Sequence, residues 1–155
     1  METLMREFAD WQRRYSNAPP AERVKLAAAG EALARERRAA LKALIQSDPQ
    51  RALQLAVPPG TGRDWPPAVV QLLEQWVSGR GALGVIVADD FERKRSTTIR
   101  TVTLGGQSYR VFVYGRRLDQ PSSRDEPLQG IVIDGLMAVA EEAPVLPENG
   151  GAIRK

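Results

Sequence analysis

Along the first third of the chain the apolar positions recur at helical spacing. Leu4, Phe8, Trp11 and Tyr15 lie at i, i+4, i+7 and i+11, one face of a helix over residues 2–16 that Asn17-Ala18-Pro19-Pro20 ends. Ala21 to Gln46 predicts a long helix rich in Ala, Leu, Arg and Glu. Leu26, Leu33, Ala40 and Leu44 form its stripe, with Leu41 and Ile45 beside them; Arg35, Arg38 and Lys42 fall toward the other side, which reads as a solvated face. Gly30 is its weak point, at roughly 1 kcal/mol relative to Ala. Asp48 then suits an N-cap and Pro49 the first helical position, so a short helix restarts over residues 50–56 with Ala52, Leu53 and Ala56 inward. The stretch VPPGTGRD (57–64) is a turn-rich loop. Pro66-Pro67 starts a predicted fourth helix reaching about Val77, with Val69, Leu72, Leu73 and Trp76 as its apolar face.

The period changes at Ser78-Gly79-Arg80-Gly81, where helical spacing gives way to β-rich runs. Leu83 to Val87 is an apolar strand, and residues 89–95 are a polar connection. Two further runs face each other across Gly105-Gly106, a strong hairpin signal that sets Val102 opposite Tyr109 and Ile99 opposite Phe112. Tyr109, Val111 and Val113 share one face, and Arg110, Phe112 and Tyr114 the other, so this strand is expected to be covered on both sides. Residues 118–127 (LDQPSSRDEP) read as an exposed, mobile loop. Ile131-Val132-Ile133 and Leu136 to Val139 flank Asp134-Gly135, a second hairpin whose first strand is apolar on both faces. Ala143 onward reads as a last short strand and then a polar tail.

The expected fold class is therefore α+β. Three or four N-terminal helices are followed by a mainly antiparallel sheet, or a small β-barrel, of about five strands. The organisation is one globular unit: a helical segment (1–78) packed on a sheet segment (79–147), then a linker or tail (148–155).

Composition changes this picture mainly by exclusion. The 155 residues include no cysteine and no histidine. That removes disulfides, thiolate nucleophiles, Cys/His zinc sites and every acid–base device built on imidazole. No apolar run is long enough to span a membrane, and the charged N-terminus has no signal-peptide core. The net charge of +3 resides in residues 1–64, which hold 11 Lys/Arg against 8 Asp/Glu; residues 65–155 hold 11 against 11. An even balance in the β half is short of a nucleic-acid-binding footprint.

Three constellations are candidates for chemistry or binding. Tyr114-Gly115-Arg116-Arg117 ends the central strand with an aromatic and two guanidiniums, as in OB-type barrels that hold single-stranded nucleic acid; Arg80, between Gly79 and Gly81, adds a fourth candidate binding residue. The competing expectation is that Tyr114 packs and the arginines pair with Asp119, Asp125 or Glu126. Asp89, Asp90 and Glu92 present carboxylates to a hard cation such as Ca²⁺, but three basic residues follow at once and the spacing is not an EF-hand. There is no phosphate-binding loop, no nucleophile beside a base, and no cofactor motif. A non-enzymatic role, without cofactor or metal, is expected.

Four segments carry a family resemblance: RERRAALKALIQSDPQRALQLAVP, VVQLLEQWVSGRGALGVIVADDF, TVTLGGQSYRVFVYGRR and PLQGIVIDGLMAVAEEAPVLP. Their order resembles an N-terminal module of very large exported multidomain bacterial proteins, some with immune-inhibitor-A-like metalloprotease or adhesion-type domains further along. The resemblance spans residues 31–147. Its recurring positions are Asp48, Pro49, Gly79, Gly81, Tyr109, Tyr114, Gly115, Arg116, Gly130, Asp134 and Gly135, mostly turn, cap and strand residues, which implies shape more than catalysis. It implies a secreted or cell-envelope setting, with a cytoplasmic one as the alternative. It also implies a partner that is another protein or a downstream domain of the same polypeptide. A dimer formed through exposed sheet edges and a nucleic-acid partner are the remaining alternatives.

Overall fold

The structure, a computed structural model, describes residues 1–142. Four helices precede five strands: α1 (Glu2–Asn17), α2 (Pro20–Ser47), α3 (Pro49–Leu55), α4 (Pro67–Val70), β1 (Gln75–Asp90), β2 (Arg95–Leu104), β3 (Gln107–Phe112), β4 (Ser123–Ile133) and β5 (Leu136–Val139). A short 3₁₀ turn, Gly115–Asp119, lies between β3 and β4. The strands close into a barrel in the order β1-β2-β3-β5-β4. All pairs are antiparallel except β3 with β5. The α+β class thus holds, and the sheet is the closed form. The expected last strand and tail after Ala143 lie outside the described residues.

Closure depends on β1. At 16 residues it is long enough to pair with β4 through Gln75–Gly81 and with β2 through Ala82–Asp90, with a bulge between Gly81 and Leu83. The ladder turns the corner there, as bulges and glycines allow. Both expected hairpins are present: Val102 faces Tyr109 and Leu104 faces Gln107, while Ile133 faces Leu136. The β2–β3 ladder runs only from Thr101 to Leu104, so Ile99 instead faces Ile86 of β1.

Strand alternation sorts the apolar side chains into layers. Leu83, Val102, Val111, Val113, Leu128, Val132, Met137 and Val139 fill the barrel. Ile131, Ile133 and Ala138 point outward and pack on Leu41, Ile45 and Ala52 of the helices. Phe112 joins this second layer, so β3 is covered on both faces as its sequence implied. A third cluster of Phe8, Trp11, Tyr15 and Trp65 holds α1 to α2 and the 57–66 loop. Its rings stack or meet edge to face at centroid distances of 5.1 to 5.8 Å. Arg23 caps α1 by donating to the carbonyls of Tyr15, Ser16 and Ala18. Asp48 caps α3 through Arg51 N–H, as expected of it.

Three expectations give way. The fourth helix is a single turn, and Trp76 lies in β1, where its indole N–H donates to Val57 O. Residues 71–76 have strong helix formers, but Gln75 and Trp76 instead pair with Val132 and Ile131, and the ladder prevails over propensity. The supposed loop 118–127 is the end of the 3₁₀ turn and the start of β4. The buried face of α2 is Gly30, Ala34, Arg37, Leu41 and Ile45, rotated from the expected leucine stripe.

Gly30 is the reason for that rotation. The Trp11 ring lies where a β-carbon at residue 30 would sit, and Trp11 N–H donates to Leu26 O at 2.9 Å. Gly30→Ala is therefore expected to destabilise the fold by about 1–3 kcal/mol, an overpacking cost, despite Ala being the better helix former. Urea denaturation followed by Trp fluorescence measures it; unchanged or raised stability would contradict the packing.

Candidate functional site

Tyr114, Arg116 and Arg117 are brought together, but against the segment 140–142 rather than an open face. The Tyr114 hydroxyl accepts from Glu141 N–H at 3.1 Å. Arg116 donates its backbone N–H to Glu141 Oε2 at 2.8 Å, and its guanidinium reaches Glu141 O and Glu142 Oε1. Gly115, between them, has φ +63°, and a side chain there would collide with the Glu141 carboxylate. Arg117 is buried. It donates to Ala140 O at 2.7 Å, to Gln120 Oε1 at 3.0 Å and to Glu126 Oε1 at 3.3 Å. Hydrogen bonds from Ser123, with help from Gln120 and Arg117, hold the Glu126 carboxyl below its ordinary value despite partial burial. Arg80 lies apart and grips Asp125 through its carboxylate and backbone carbonyl, at 2.8 and 2.6 Å. Each of the four candidate side chains is thus engaged within the fold, as the pairing alternative anticipated for Arg117 with Glu126.

Two carboxylates of the acidic loop are engaged as well, and Glu92 is exposed. Asp89 accepts from the Ser96 hydroxyl at 2.5 Å, and Asp90 from Arg93 N–H at 3.2 Å. These contacts close the β1–β2 connection as a hairpin, with Asp89 and Asp90 in β1 and Arg95 in β2. The basic face of α2 also finds an internal anion: Arg38 and Lys42 both pair with Asp134 in the β4–β5 turn, at 2.8 and 3.1 Å. Arg38's hydrogen bond is the first cause of a lowered Asp134 pKa, followed by that of Lys42. This residue, expected only to shape a turn, also anchors helix to barrel.

Two features were missed from sequence. The first is a buried ion pair. Arg37 and Glu74 are 2% and 0% exposed at their side chains, joined by bidentate contacts of 2.5 and 2.8 Å. Glu74 also accepts from Val57 N–H, Arg37 donates to Leu55 O, and the guanidinium covers the Phe8 ring at 5.1 Å. Burial pushes the Glu74 carboxyl up, but the hydrogen bonds and charge of Arg37 more than offset it, and the net shift is downward.

The second is a two-stranded arm. The ladder with β4 ends at Leu83–Ser123 and the ladder with β3 at Thr101–Arg110, yet β1 and β2 continue together to Asp90–Arg95. On this arm Ile86 and Val87 are each 60% exposed and Phe91 is 87% exposed. The alternation of LGVIV predicted a strand but not that its second half has no layer above it. A separate cleft of about 760 Å³ opens at the barrel end, lined in part by Arg38, Gln71, Gln75, Gln107, Tyr109 and Asp134. None of Tyr114, Arg116, Arg117 and Arg80 lines it.

Glu74→Gln or Arg37→Met alone should each destabilise the protein by about 3–5 kcal/mol, because a buried charge loses its partner, whereas the double change Arg37→Met with Glu74→Leu should recover much of that loss. The pH dependence follows from the lowered Glu74 pKa: its stabilising share is complete above the ordinary value of 4.5 and is lost as pH falls through the lower folded value. Acid titration of wild type and the double variant checks the sign; the wild type should lose more stability below pH 4.5. Compared with known protein families, curated proteins and solved structures, this chain matches none.

Proposed function

We propose that this chain is a non-catalytic module that works by presenting a protein-binding surface, either to a separate partner or to a neighbouring domain of the same polypeptide. The observation that carries this reading is the arm. A free two-stranded ribbon is marginally stable in water, and exposing Ile86, Val87 and Phe91 forgoes part of the roughly 1.5–3 kcal/mol that full burial of each would contribute. An apolar group set at the tip of a barrel-anchored ribbon gains that energy when a partner covers it. Engagement of Tyr114, Arg80, Arg116, Arg117, Asp89 and Asp90 in contacts within the fold supports the same reading. The resemblance to modules of exported multidomain proteins supports an extracytoplasmic setting.

A second reading, an OB-like barrel holding single-stranded nucleic acid, is favoured by one observation. From Arg93 to Leu118 the chain has seven Lys/Arg and no Asp/Glu. The even balance of the β half conceals this segregation. With Tyr114, Arg116 and Arg117 engaged, the stacking aromatic of that reading is Phe91.

On the interaction-module reading, the isolated chain should turn over no substrate in a peptide and glycan hydrolysis panel. Activity removed by one carboxylate substitution counts against it. Labelled single-stranded DNA and RNA should show no binding that weakens steeply with salt; a steep salt slope shifts the assignment to the second reading.

A further inference from the structure

We propose that the outer edge of β2, from Arg95 to Arg100, docks an extended acidic segment of a partner protein as an added strand. This rests on the interaction-module reading and names the surface and the chemistry of its partner.

The edge is open. β2 pairs with β1 along its length but with β3 only over Thr101–Leu104. Its free groups can be assigned. Leu104 and Gln107 flank a two-residue turn and form a hydrogen-bonded pair. Alternation from Leu104 then directs the N–H and C=O of Val102, Arg100, Thr98 and Ser96 to this same edge. Arg110, opposite Thr101 in the other kind of pair, accordingly donates its N–H to Gly135 O instead. Residues 96 and 98 therefore present unpaired donors and acceptors, and Arg100, whose C=O faces Val111 N–H beside the last Thr101–Arg110 pair, adds its N–H, the template for strand addition.

Charge selects the edge and the partner. β1 also has a free edge beyond Val85, whose N–H bonds Ser122 Oγ, but that edge runs into Asp89 and Asp90. The β2 edge starts at Arg95, follows Arg93 and Lys94, includes Arg100, and adjoins Arg110 of β3. Among the described residues Lys94, Arg95 and Arg110 have no ion pair. Arg100 donates to Leu118 O, and its Nε is buried without a partner. A second copy is the poorer occupant: two β2 edges would bring Arg93, Lys94, Arg95 and Arg100 of both copies together, and neither edge carries a carboxylate. An incoming strand instead meets Arg95 and Ile99 on one face, with Ile86 beside Ile99, and Arg100 on the other. Carboxylates toward both arginines with an apolar residue between them fit this pattern.

The test uses the full 155-residue chain and labelled peptides of about eight residues, long enough to span the edge at roughly 3.3 Å per residue. The peptides carry Glu at the two positions opposite Arg95 and Arg100 with Val opposite Ile99 (Glu–Val), or Gln or Lys in place of both Glu (Gln–Val, Lys–Val), with an oligothymidylate as competitor. The Glu–Val peptide should bind, shifting the backbone amide NMR signals of Ser96, Thr98 and Arg100 most. Arg95→Glu should weaken binding about tenfold, equivalent to about 1.4 kcal/mol. Thr98→Pro, which removes an outward N–H and leaves the β1 ladder intact, should abolish it without lowering the melting temperature. The proposal is overturned if no peptide binds, if the Lys–Val peptide binds as well, if Arg95→Glu has no effect, or if oligothymidylate shifts the same amides more strongly. Peptide binding at another surface overturns this site but leaves the interaction module standing; peptide hydrolysis overturns the module reading itself.

Discussion

The Arg37–Glu74 ion pair is the point through which the two halves of the molecule are joined. Arg37 projects from the middle of α2, and Glu74 stands immediately before β1. Two charges in an interior of low dielectric incur a desolvation cost of several kcal/mol each, which only near-complete hydrogen bonding offsets. Val57 N–H, Leu55 O and the Phe8 ring complete that shell. The pair therefore constrains the helix, the loop after α3 and the start of the barrel at once. It also accounts for the short α4: Glu74 is drawn to Arg37, and Gln75 proceeds directly into the β ladder.

Around this joint the fold separates into a rigid body and a projection. The barrel interior, the helix–barrel layer and the aromatic cluster are apolar and close-packed. Their polar borders are sealed by specific pairs, among them Arg38 and Lys42 with Asp134, and Arg117 with Glu126, Gln120 and Ala140. The arm has no such cover. Its stability comes from β1 and β2 pairing with each other while both are anchored in the barrel below. On the proposed reading, the stiff base holds the exposed, edge-bearing tip in place for a partner. Tyr114, bonded to Glu141 N–H, and the buried Arg117, bonded to Ala140 O, show how the motif that most resembled a binding site ties the chain after β3 to the chain after β5 instead.

Sequence alone determined much of this protein. Period-3.6 and period-2 patterns, Pro and Gly punctuation, and the Gly105-Gly106 and Asp134-Gly135 turns established an α+β chain with two hairpins, because these signals are local and depend on backbone sterics. The lack of His and Cys excluded whole chemistries. Tertiary structure decided what depends on distant partners. Arg37 is indistinguishable in sequence from Arg35 and Arg38 until Glu74 reaches it across 37 residues. Gly30 looks like a weak helix position until Trp11 fills its space. Residues 71–76 favour a helix until β4 offers a ladder, and closure of the barrel depends on β1 having two neighbours at once. The exposure of the arm is of the same kind: alternation records that a strand has two faces, but only packing decides which layers end before the strand does.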